Sequence, residues 1–378
     1  MKTVLNLFGV DPFRIGGNEA FAREVSRQLQ EVGWQNVLVF EKPATGAVRD
    51  FLSLPNVHLE CLDQLHRGYP GALAATWGLM QKYQPTVLHL HFVTFLSLYP
   101  WLARLRGVRK IFFTDQGSWP EGHVIHRAPY WKRMIGRAVN APITGVLNVS
   151  DYGRRAASGR GYLPPDRYQV IYNSVDLARF ESRPDAGRAF RQRHQIPEDR
   201  IVVLQVSWII PEKGIGDLLA AARDVIARDR RAHFVFAGEG AYRKEYMRQA
   251  DELGISGHVT WTGLVQDPVR EGLFDASDIV CQMSRWEEVF GWVIAEAMAS
   301  RKPLVGTRVG GIPELIEDGV NGYLVSRGDT AAMTEKILSL MVEPDLRQRF
   351  GLAGYQTVES KFDLERNVSK LLRLYGAA

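Results

Sequence analysis

The stretch IVVLQVSWIIPEKGIGDLLAAARDVIARDRRAHFVFA, residues 201–237, alternates a short β-rich run, a longer amphipathic run and a second β-rich run. The runs at 201–206 and 233–237 are apolar and rich in β-branched or aromatic residues, which is typical of strands buried on both faces. Residues 215–227 have the apolar spacing of an amphipathic helix. The stretch therefore predicts a strand, a helix and a second, parallel strand, the repeating unit of doubly wound α/β sheets.

The same alternation runs along the whole chain and restarts once. Before residue 176 it predicts helices at 19–31 and 72–83 among strands at 4–10, 37–40, 57–59, 87–91, 110–114 and 146–149. After residue 200 it predicts helices at 215–227, 242–253, 291–300 and 312–316 among strands at 201–206, 233–237, 258–262, 278–282, 303–307 and 322–325. Pro184, Gly187 and a dense run of charges interrupt the pattern between the two series. We therefore expect two consecutive doubly wound sheets.

The length of 378 residues also fits two domains. We expect a Rossmann-like domain at residues 1–183, a second Rossmann-like domain at 184–360 and a final helical segment at 361–378. Ligands of open parallel sheets bind outside the carboxyl ends of the strands. Two such domains that face each other across a cleft would place those ends along it, so functional residues are expected in the loops that follow strands.

Composition excludes several classes of protein. The chain is 46% hydrophobic and 24% charged, ordinary values for a globular protein. Its two cysteines, Cys61 and Cys281, are too few for a disulfide scaffold or a Cys-based zinc site, and they fit a reducing compartment. The N-terminal stretch lacks the cleavage site of a signal peptide, and the longest uncharged run, 87–103, is too short and too polar for a membrane span. We therefore expect a cytoplasmic protein.

Positive charge is concentrated in the first half of the chain. Residues 1–180 contain 21 Lys and Arg against 13 Asp and Glu, whereas residues 181–378 contain 26 against 29. Residues 101–160 alone contain 11 basic and 3 acidic side chains. This balance favours an anionic partner, namely a membrane surface, a phosphorylated lipid or nucleic acid, although a solvated basic face explains the same counts. No nucleic-acid recognition motif accompanies the charge, so we expect no nucleic acid partner.

The segment RAPYWKRMIGR at 127–137 mixes basic and aromatic residues. Such a segment can lie in a membrane interface, with its rings at the level of the headgroups and its cations near anionic lipid. A surface helix whose Lys and Arg stems cover apolar surface is the alternative. The first interpretation predicts peripheral contact with an anionic membrane, at its cytoplasmic face.

A glycine pair, Gly16 and Gly17, stands between the first predicted strand and the first predicted helix. Glycines there let the backbone approach a phosphate, and the helix N-terminus adds unpaired N–H groups and a favourable dipole. The loop matches neither the G-x-G-x-x-G nor the G-x-x-x-x-G-K-[ST] motif, and a tight turn with positive φ explains the pair as well. A second pair, Gly310 and Gly311, precedes the helix predicted at 312–316.

Lys213 stands at the start of the helix predicted at 215–227. A cation at that end opposes the helix dipole, so its position is understandable if an anion lies between the ammonium group and the helix. An exposed loop lysine is the alternative.

Two glutamates eight residues apart, Glu288 and Glu296, flank the start of the helix predicted at 291–300. Gly291 marks that start, so Glu288 lies in the preceding loop and Glu296 lies within an apolar run of the helix. A carboxylate in such a run is costly unless it is hydrogen-bonded, and sugar or ribose hydroxyls would satisfy it. A salt-bridged or solvent-facing glutamate is the alternative.

Together these motifs resemble those of the family 4 glycosyltransferases, which are retaining, nucleotide-sugar-dependent enzymes of the GT-B fold. The resemblance covers nearly the whole chain and is strongest over 201–325. Its most specific parts are EVFGWVIAEAMA at 288–299 and PLVGTRVGGIPELIEDGVNGYLV at 303–325. VIYNSVD at 170–176 is similar to the family's segment before the interdomain linker. The resemblance also implies that a helix at 364–375 crosses back onto the N-terminal domain.

The resemblance implies transfer of a hexosyl unit from a nucleotide-diphosphate sugar to the hydroxyl of a glycan or lipid-linked acceptor. By similarity, Lys213 neutralises the diphosphate, Glu288 binds hydroxyls of the transferred sugar and Glu296 binds the ribose. The remaining donor-binding positions are Gly16, Gly17, Trp208, Phe290, Gly291 and, near the base, Gly263. The acceptor is expected on the N-terminal domain and the donor on the C-terminal one. No D-x-D motif lies in a suitable loop, so we expect no metal and no other cofactor.

Two positions depart from the family pattern. The family usually has an arginine where this chain has Trp208, and often a histidine where it has Gln116. Gln116 can still hydrogen-bond a sugar hydroxyl, and the adjacent Asp115 is the local carboxylate available for a double displacement. Both are therefore catalytic candidates beside Lys213 and Glu288. A catalytically weak or inactive nucleotide-sugar-binding module on the same fold is the alternative.

Overall fold

Buried apolar runs form the strands of two separate parallel sheets. The computed structural model describes residues 1–377 and divides them into two units. Within the described residues, the first unit contains Met1–Gly117, Val124–Asn173 and Leu364–Ala377, and the second contains Ser118–His123 and Ser174–Asp363. Among residues 1–377, no helix combines the length and the apolarity that crossing a bilayer requires.

The first unit is built on a seven-stranded sheet in the order β3-β2-β1-β4-β5-β6-β7. Its strands are β1 (Thr3–Phe8), β2 (Gln35–Phe40), β3 (Val57–Cys61), β4 (Val87–His91), β5 (Lys110–Asp115), β6 (Gly145–Asn148) and β7 (Tyr168–Val170). Its helices are α1 (Gly17–Glu31), α2 (Gly46–Leu52), α3 (Pro70–Tyr83), α4 (Tyr99–Leu105), α5 (Tyr130–Asn140), α6 (Asp151–Gly159) and α14 (Leu364–Tyr375). All neighbouring strands are parallel, and the strand order reverses between β1 and β4.

The central strand β1 separates two apolar layers. Leu5 and Leu7 face one layer, and Val4 faces the other, together with Val25 of α1. The last helix, α14, completes the second layer with apolar side chains that recur every three or four residues and so share one face: Leu364, Val368, Leu371, Leu372 and Tyr375. Lys110 Nζ also donates a hydrogen bond of 2.9 Å to the carbonyl of Tyr375. The implied packing of the last helix on the N-terminal unit is therefore confirmed.

The second unit is built on a six-stranded sheet in the order β10-β9-β8-β11-β12-β13. Its strands are β8 (Ile201–Val206), β9 (Ala232–Ala237), β10 (Val259–Gly263), β11 (Ile279–Gln282), β12 (Leu304–Thr307) and β13 (Tyr323–Val325). Its helices are α7 (Pro184–Arg193), α8 (Ile215–Arg228), α9 (Arg243–Glu252), α10 (Trp292–Ala299), α11 (Ile312–Leu315), α12 (Thr330–Val342) and α13 (Pro344–Lys361). All neighbouring strands are again parallel, and the order reverses between β8 and β11.

The opening stretch of the second unit folds as its pattern predicts. β8 and β9 are parallel neighbours, and α8 between them buries a stripe at helical spacing: Ile215, Leu218, Leu219, Ala222 and Val225. These side chains join the strands in one apolar cluster, which explains why the apolar spacing fixes the helix here. The predicted fold class, two Rossmann-like doubly wound sheets, is confirmed.

Candidate functional site

The second sheet reverses its strand order between β8 and β11, and this is where open α/β sheets bind ligands. Two loops leave the carboxyl ends of these neighbouring strands. The loop after β8 contains Lys213, and the loop after β11 contains Glu288. Parallel strands end at the same edge, so the topology brings these two loops together although their residues are 75 positions apart.

Lys213 and Glu288 form an ion pair. Their side chains are only 16% and 10% exposed, so the pair lies within the protein surface rather than on it. The Glu288 carboxylate also accepts hydrogen bonds from Ser284 Oγ at 2.7 Å and from Ser118 Oγ at 3.1 Å. An exposed loop lysine is therefore the wrong interpretation of Lys213, and the anion near it is the carboxylate of Glu288. Three donors offset the cost of burying that carboxylate.

Two glycines make room for the pair. Gly214 begins α8 with φ of 65°, and a Cβ there would lie 1.8 Å from the carbonyl oxygen of Met283. Gly310 has φ of 53°, and its Cβ would lie 2.1 Å from the carbonyl oxygen of Glu288. The neighbouring Gly311 donates its N–H to that same oxygen at 2.6 Å. The two loops can approach this closely only with glycine at these positions.

A chain segment from between β5 and α5 also reaches this site. We name Ser118–His123 the strap, because it belongs to the second unit while the residues on either side belong to the first. Trp119 and Glu287 exchange two backbone hydrogen bonds, of 3.1 and 3.0 Å, which fixes the strap beside Glu288. The strap's Glu121 contributes a carboxylate 3.1 Å from Arg285.

Charged side chains hold the loop after β11 from several directions. Glu287 pairs with Arg327 and accepts the N–H of Gly310 at 2.8 Å. Arg285 donates to both oxygens of Asp217, at 2.9 and 3.0 Å. Four residues of this site were not predicted from the sequence: Ser118, Ser284, Glu287 and Arg327. The doubled glutamate at 287–288 is the signal that was available for Glu287, whereas the other contacts depend on the tertiary fold.

The remaining predicted residues of the second unit lie near the same sheet edge. Trp208 follows β8 and is exposed. Phe290 is buried, and Gly291 begins α10 with φ of 102°, as predicted for a helix start. Glu296 lies half-buried in α10 among buried apolar neighbours. Gly263 ends β10, which β9 separates from β8.

The predicted residues of the first unit lie at the carboxyl ends of two strands. Gly16 and Gly17 follow β1 and begin α1, where the Glu19 carboxylate accepts the N–H of Gly16 at 3.0 Å. Asp115 ends β5, and Gln116 follows it half-buried. Burial raises the pKa of the Asp115 carboxyl, and the N–H of Gly117 and the charge of Arg160 act in the opposite direction. β4 lies between β1 and β5 in the sheet.

Metal ligands are not clustered in the part of the chain that the structure describes. Within residues 1–377, no three His, Cys, Asp or Glu side chains come together as a set that could hold a metal ion.

Family comparisons match most of the chain in two parts. The model of the family described as Glycosyltransferase Family 4 matches residues 15–179, and that of Glycosyl transferases group 1 matches residues 187–357. The first match contains β2 to β7 of the first sheet, and the second match contains all six strands of the second sheet. The order of the two families along the chain therefore follows the order of the two units.

Curated relatives and a solved structure agree with these matches. The chain is 31% identical to the GDP-mannose-dependent alpha-(1-6)-phosphatidylinositol monomannoside mannosyltransferase of Mycolicibacterium smegmatis, over 68% of this chain and 68% of that protein. It is 29% identical to the alpha-D-kanosaminyltransferase of Streptomyces kanamyceticus, over 77% of this chain and 70% of that protein. The fold is similar to that of Anabaena Alr3699/HepE in complex with UDP and glucose, with a TM-score of 0.81, 20% identity and complete coverage of both chains.

The fold and these relatives define the class of protein as a glycosyltransferase with two Rossmann-like domains, the GT-B fold. The chain belongs to the family 4 glycosyltransferases.

Proposed function

We propose that this glycosyltransferase moves a hexosyl unit from a nucleotide-diphosphate sugar to an acceptor hydroxyl with retention of configuration, in glycan or polysaccharide biosynthesis. One observation carries the proposal: a largely buried Lys213–Glu288 ion pair at the point where the second sheet reverses its strand order. That place is where open sheets bind nucleotides, and the pair offers a cation for phosphate and a carboxylate for hydroxyl groups.

The pyrophosphate of the donor would take Lys213 as its cationic partner. α8 begins immediately after Lys213, and α10 begins after Glu288, so two helix N-termini add N–H groups and positive dipole ends near the same sheet edge. The leaving group develops negative charge as the anomeric C–O bond breaks. Fixed cations and N–H dipoles that face this charge lower the barrier, and removal of one such donor typically costs about 10²- to 10³-fold in turnover.

When phosphate engages Lys213, Glu288 becomes available to hydroxyls of the transferred sugar. Ser284 and Ser118 would keep the carboxylate oriented during that exchange, because each already donates a hydrogen bond to it. By family resemblance, Glu296 binds the ribose, the backbone amides of Phe290 and Gly291 meet the sugar, and Trp208 and Gly263 complete the donor site. The amide of Gly17, beside Gly16, adds a contact to the diphosphate.

Retention would follow from attack on the same face that the leaving group departs from. The acceptor oxygen bonds to the anomeric carbon as the bond to the diphosphate breaks, and the acceptor proton passes to the departing phosphate oxygen. A double displacement would instead require a carboxylate at the anomeric carbon. We assign Asp115 and Gln116 to contacts with the acceptor or the transferred sugar.

The first unit would bind the acceptor, and the second would bind the donor. The positive charge of residues 101–160 favours an acceptor that is lipid-linked or otherwise anionic, with the enzyme in peripheral contact with an anionic membrane at its cytoplasmic face. The proposal includes no metal, because Lys213 and the helix N-termini supply positive charge and the sequence has no D-x-D motif in a suitable loop. Activity should therefore survive EDTA.

Donor turnover tests the proposal. The purified protein is incubated with UDP-glucose and with GDP-mannose, with and without glycan and lipid-linked acceptors, and the anomeric configuration of the product is read by NMR. We expect transfer, or slow hydrolysis of one donor, with the α configuration kept and with loss of turnover in Glu288→Ala. An inverted product, or turnover unchanged in Glu288→Ala, would overturn the mechanism.

A nucleotide-sugar-binding module without turnover is the second candidate. It is favoured by Trp208 at the position of the family's usual arginine and by Gln116 at the position of its frequent histidine. A thermal-shift measurement separates the two, since a ligand at 100 times its dissociation constant adds about 2.7 kcal/mol of apparent stability. Stabilisation by a nucleotide sugar without transfer or hydrolysis, across the acceptor panel, would favour the module.

A further inference from the structure

Helix α5 of the first unit presents its apolar side chains outward. Tyr130 is 71% exposed and Trp131 is 59% exposed, and Met134 and Ile135, one turn further on, are exposed beside them. The residues of α5 that face inward are instead small or polar, Gly136 and Asn140. In a water-facing helix the apolar stripe lies against the core, so α5 has the opposite arrangement.

Helix α4 adds a second exposed apolar stripe next to it. Leu98, Trp101 and Leu105 follow helical spacing and are all exposed, with Leu105 at 72%. The indole N–H of Trp101 donates a hydrogen bond of 3.0 Å to the carbonyl of Ala138 in α5, which joins the two helices. We name the exposed side chains of these two helices the α4–α5 face. It consists of Leu98, Trp101, Arg104, Leu105, Tyr130, Trp131, Lys132, Met134, Ile135 and Arg137.

The α4–α5 face lies in a part of the chain with almost no acidic residues. Residues 64–150 contain only two, Asp115 and Glu121. Asp115 ends β5, and Glu121 belongs to the second unit, where its carboxylate lies beside Arg285. The exposed charges on the two helices are cations, Arg104 on α4 and Lys132 and Arg137 on α5.

Aromatic and aliphatic side chains mixed with Lys and Arg, and without carboxylates, match the surface of an anionic bilayer. Trp and Tyr favour the headgroup level, aliphatic side chains enter the acyl boundary, and each cation near the surface adds attraction. A second copy of the same face fits poorly, because self-association would bring its cations against each other.

We propose that the α4–α5 face is the surface by which this glycosyltransferase docks on an anionic membrane. The proposal rests on the peripheral membrane contact proposed above and names the surface that makes it. In this arrangement α4 and α5 lie in the interface plane, with Trp131, Ile135 and Leu105 entering the acyl boundary and Lys132 and Arg137 among the headgroups.

Vesicle sedimentation tests the docking surface. Full-length protein is spun with vesicles of equal parts phosphatidylcholine and phosphatidylglycerol, and with vesicles of phosphatidylcholine alone. We expect binding to the anionic vesicles only, and weaker binding as salt rises. The double variant Trp131→Ser/Ile135→Ser should bind the anionic vesicles about tenfold or more weakly. Lys132→Gln/Arg137→Gln should lose roughly tenfold or more and should show a weaker salt dependence.

A matched control is Val342→Ser/Leu352→Ser, which removes two exposed apolar side chains from α12 and α13 of the second unit. It should bind vesicles as the natural protein does. Three results would overturn the proposal. The Trp131→Ser/Ile135→Ser variant could bind as tightly as the natural protein, the control could lose as much binding as that variant, or the natural protein could fail to bind anionic vesicles. A dimer of the natural protein that the Trp131→Ser/Ile135→Ser variant dissociates would also overturn it, since the face would then join two copies.

The thermal shift with nucleotide sugars is measured on the same variants. It should be unchanged, because Trp131 and Ile135 lie outside the proposed donor site. Failure of vesicle binding with an intact thermal shift would reject the docking surface and leave the proposed function standing. If nucleotide sugars cause no thermal shift in the natural protein, the proposed donor site is rejected. The docking surface is then tested by sedimentation alone.

Discussion

The two units share one topology but carry different chemistry where their strand order reverses. The strand order reverses between β1 and β4 in the first unit and between β8 and β11 in the second. The second edge carries ion pairs, Lys213 with Glu288 and Glu287 with Arg327. The first edge has a more exposed ion pair, Lys42 with Asp11, and the sheet beneath it contains neutral groups, because burial lowers the pKa of both His89 and His91 of β4.

The neutral cluster of the first unit is a structural feature. His89 bonds Thr114 Oγ1 at 2.6 Å and the hydroxyl of Tyr375, which links β4 to β5 and to α14. His91 stacks on Phe8, with ring centroids 4.4 Å apart. The strand order therefore provides a place for a ligand in each unit, while the side chains at the strand ends decide which charge that place can bind.

The largest expected effect contrasts the carboxylates of the two edges. Glu288→Ala should lower turnover by about 10²- to 10³-fold, because it removes the sugar-binding carboxylate and the partner of Lys213. Asp115→Ala and Gln116→Ala should each lower it by about tenfold, the value of one hydrogen bond. Steady-state kinetics on the active donor checks this order, with the exposed Glu335→Ala as a control. If Asp115→Ala and Gln116→Ala both keep full turnover, their assignment is wrong.

The next effect tests how tightly the second edge is packed. Gly214→Ala should destabilise the protein by about 3 kcal/mol or more, because its Cβ would overlap the carbonyl of Met283 and its φ is positive. Gly254 also has positive φ, of 70°, but open space around its Cβ, so Gly254→Ala should cost only roughly 1 kcal/mol. Denaturant unfolding measures both. Equal losses would show that close approach of the two loops is not what requires Gly214.

A smaller effect distinguishes the first edge by its response to acid. Burial lowers the pKa of His91 from 6.5 to about 3. Between these pH values the unfolded chain binds a proton at this residue and the folded chain does not. The contribution of His91 to the free energy of unfolding is therefore fully present above pH 6.5 and is lost as the pH falls toward 3. His91→Phe, which keeps the aromatic stacking, should reduce the slope of stability against pH by about 1.4 kcal/mol per pH unit in that window.

The contrast for that measurement lies in the second unit. Burial lowers the pKa of His233 of β9 to about 4, so His233→Phe should flatten the same curve over a narrower range. Unfolding free energies measured from pH 7 downward give both slopes. A curve for His91→Phe that keeps the slope of the natural protein would contradict a neutral, buried His91.

The sequence predicted the strands of both sheets well, with one omission. The strands at 87–91 and 201–206 have the predicted bounds, because they are mostly apolar runs whose side chains are buried on both faces. The strand Tyr168–Val170 was missed, since three residues with one exposed side chain carry little periodic signal. Several helices were also absent from the predictions, from the seven-residue α4 to the 13-residue α12 and the 18-residue α13.

The candidate site was predictable where a motif was continuous. Lys213, Glu288 and Gly291 each belong to a local pattern that predicts a helix start. The structure has them at or beside the starts of α8 and α10. Ser118 was not predictable, because its contact with Glu288 joins residues 170 positions apart. Such contacts form only when tertiary folding brings two distant loops together, and the local sequence of neither loop predicts them.

We infer that the Lys213–Glu288 edge of the second sheet binds the pyrophosphate of the donor, and calorimetric titration with UDP and GDP tests this inference. The natural protein should bind one of the two nucleotides. Lys213→Ala should bind it about 10- to 150-fold more weakly, the loss expected for one charge-assisted hydrogen bond, whereas the exposed Lys244→Ala should bind it normally. Unchanged affinity in Lys213→Ala, in a variant that melts as a folded protein, would contradict the claim.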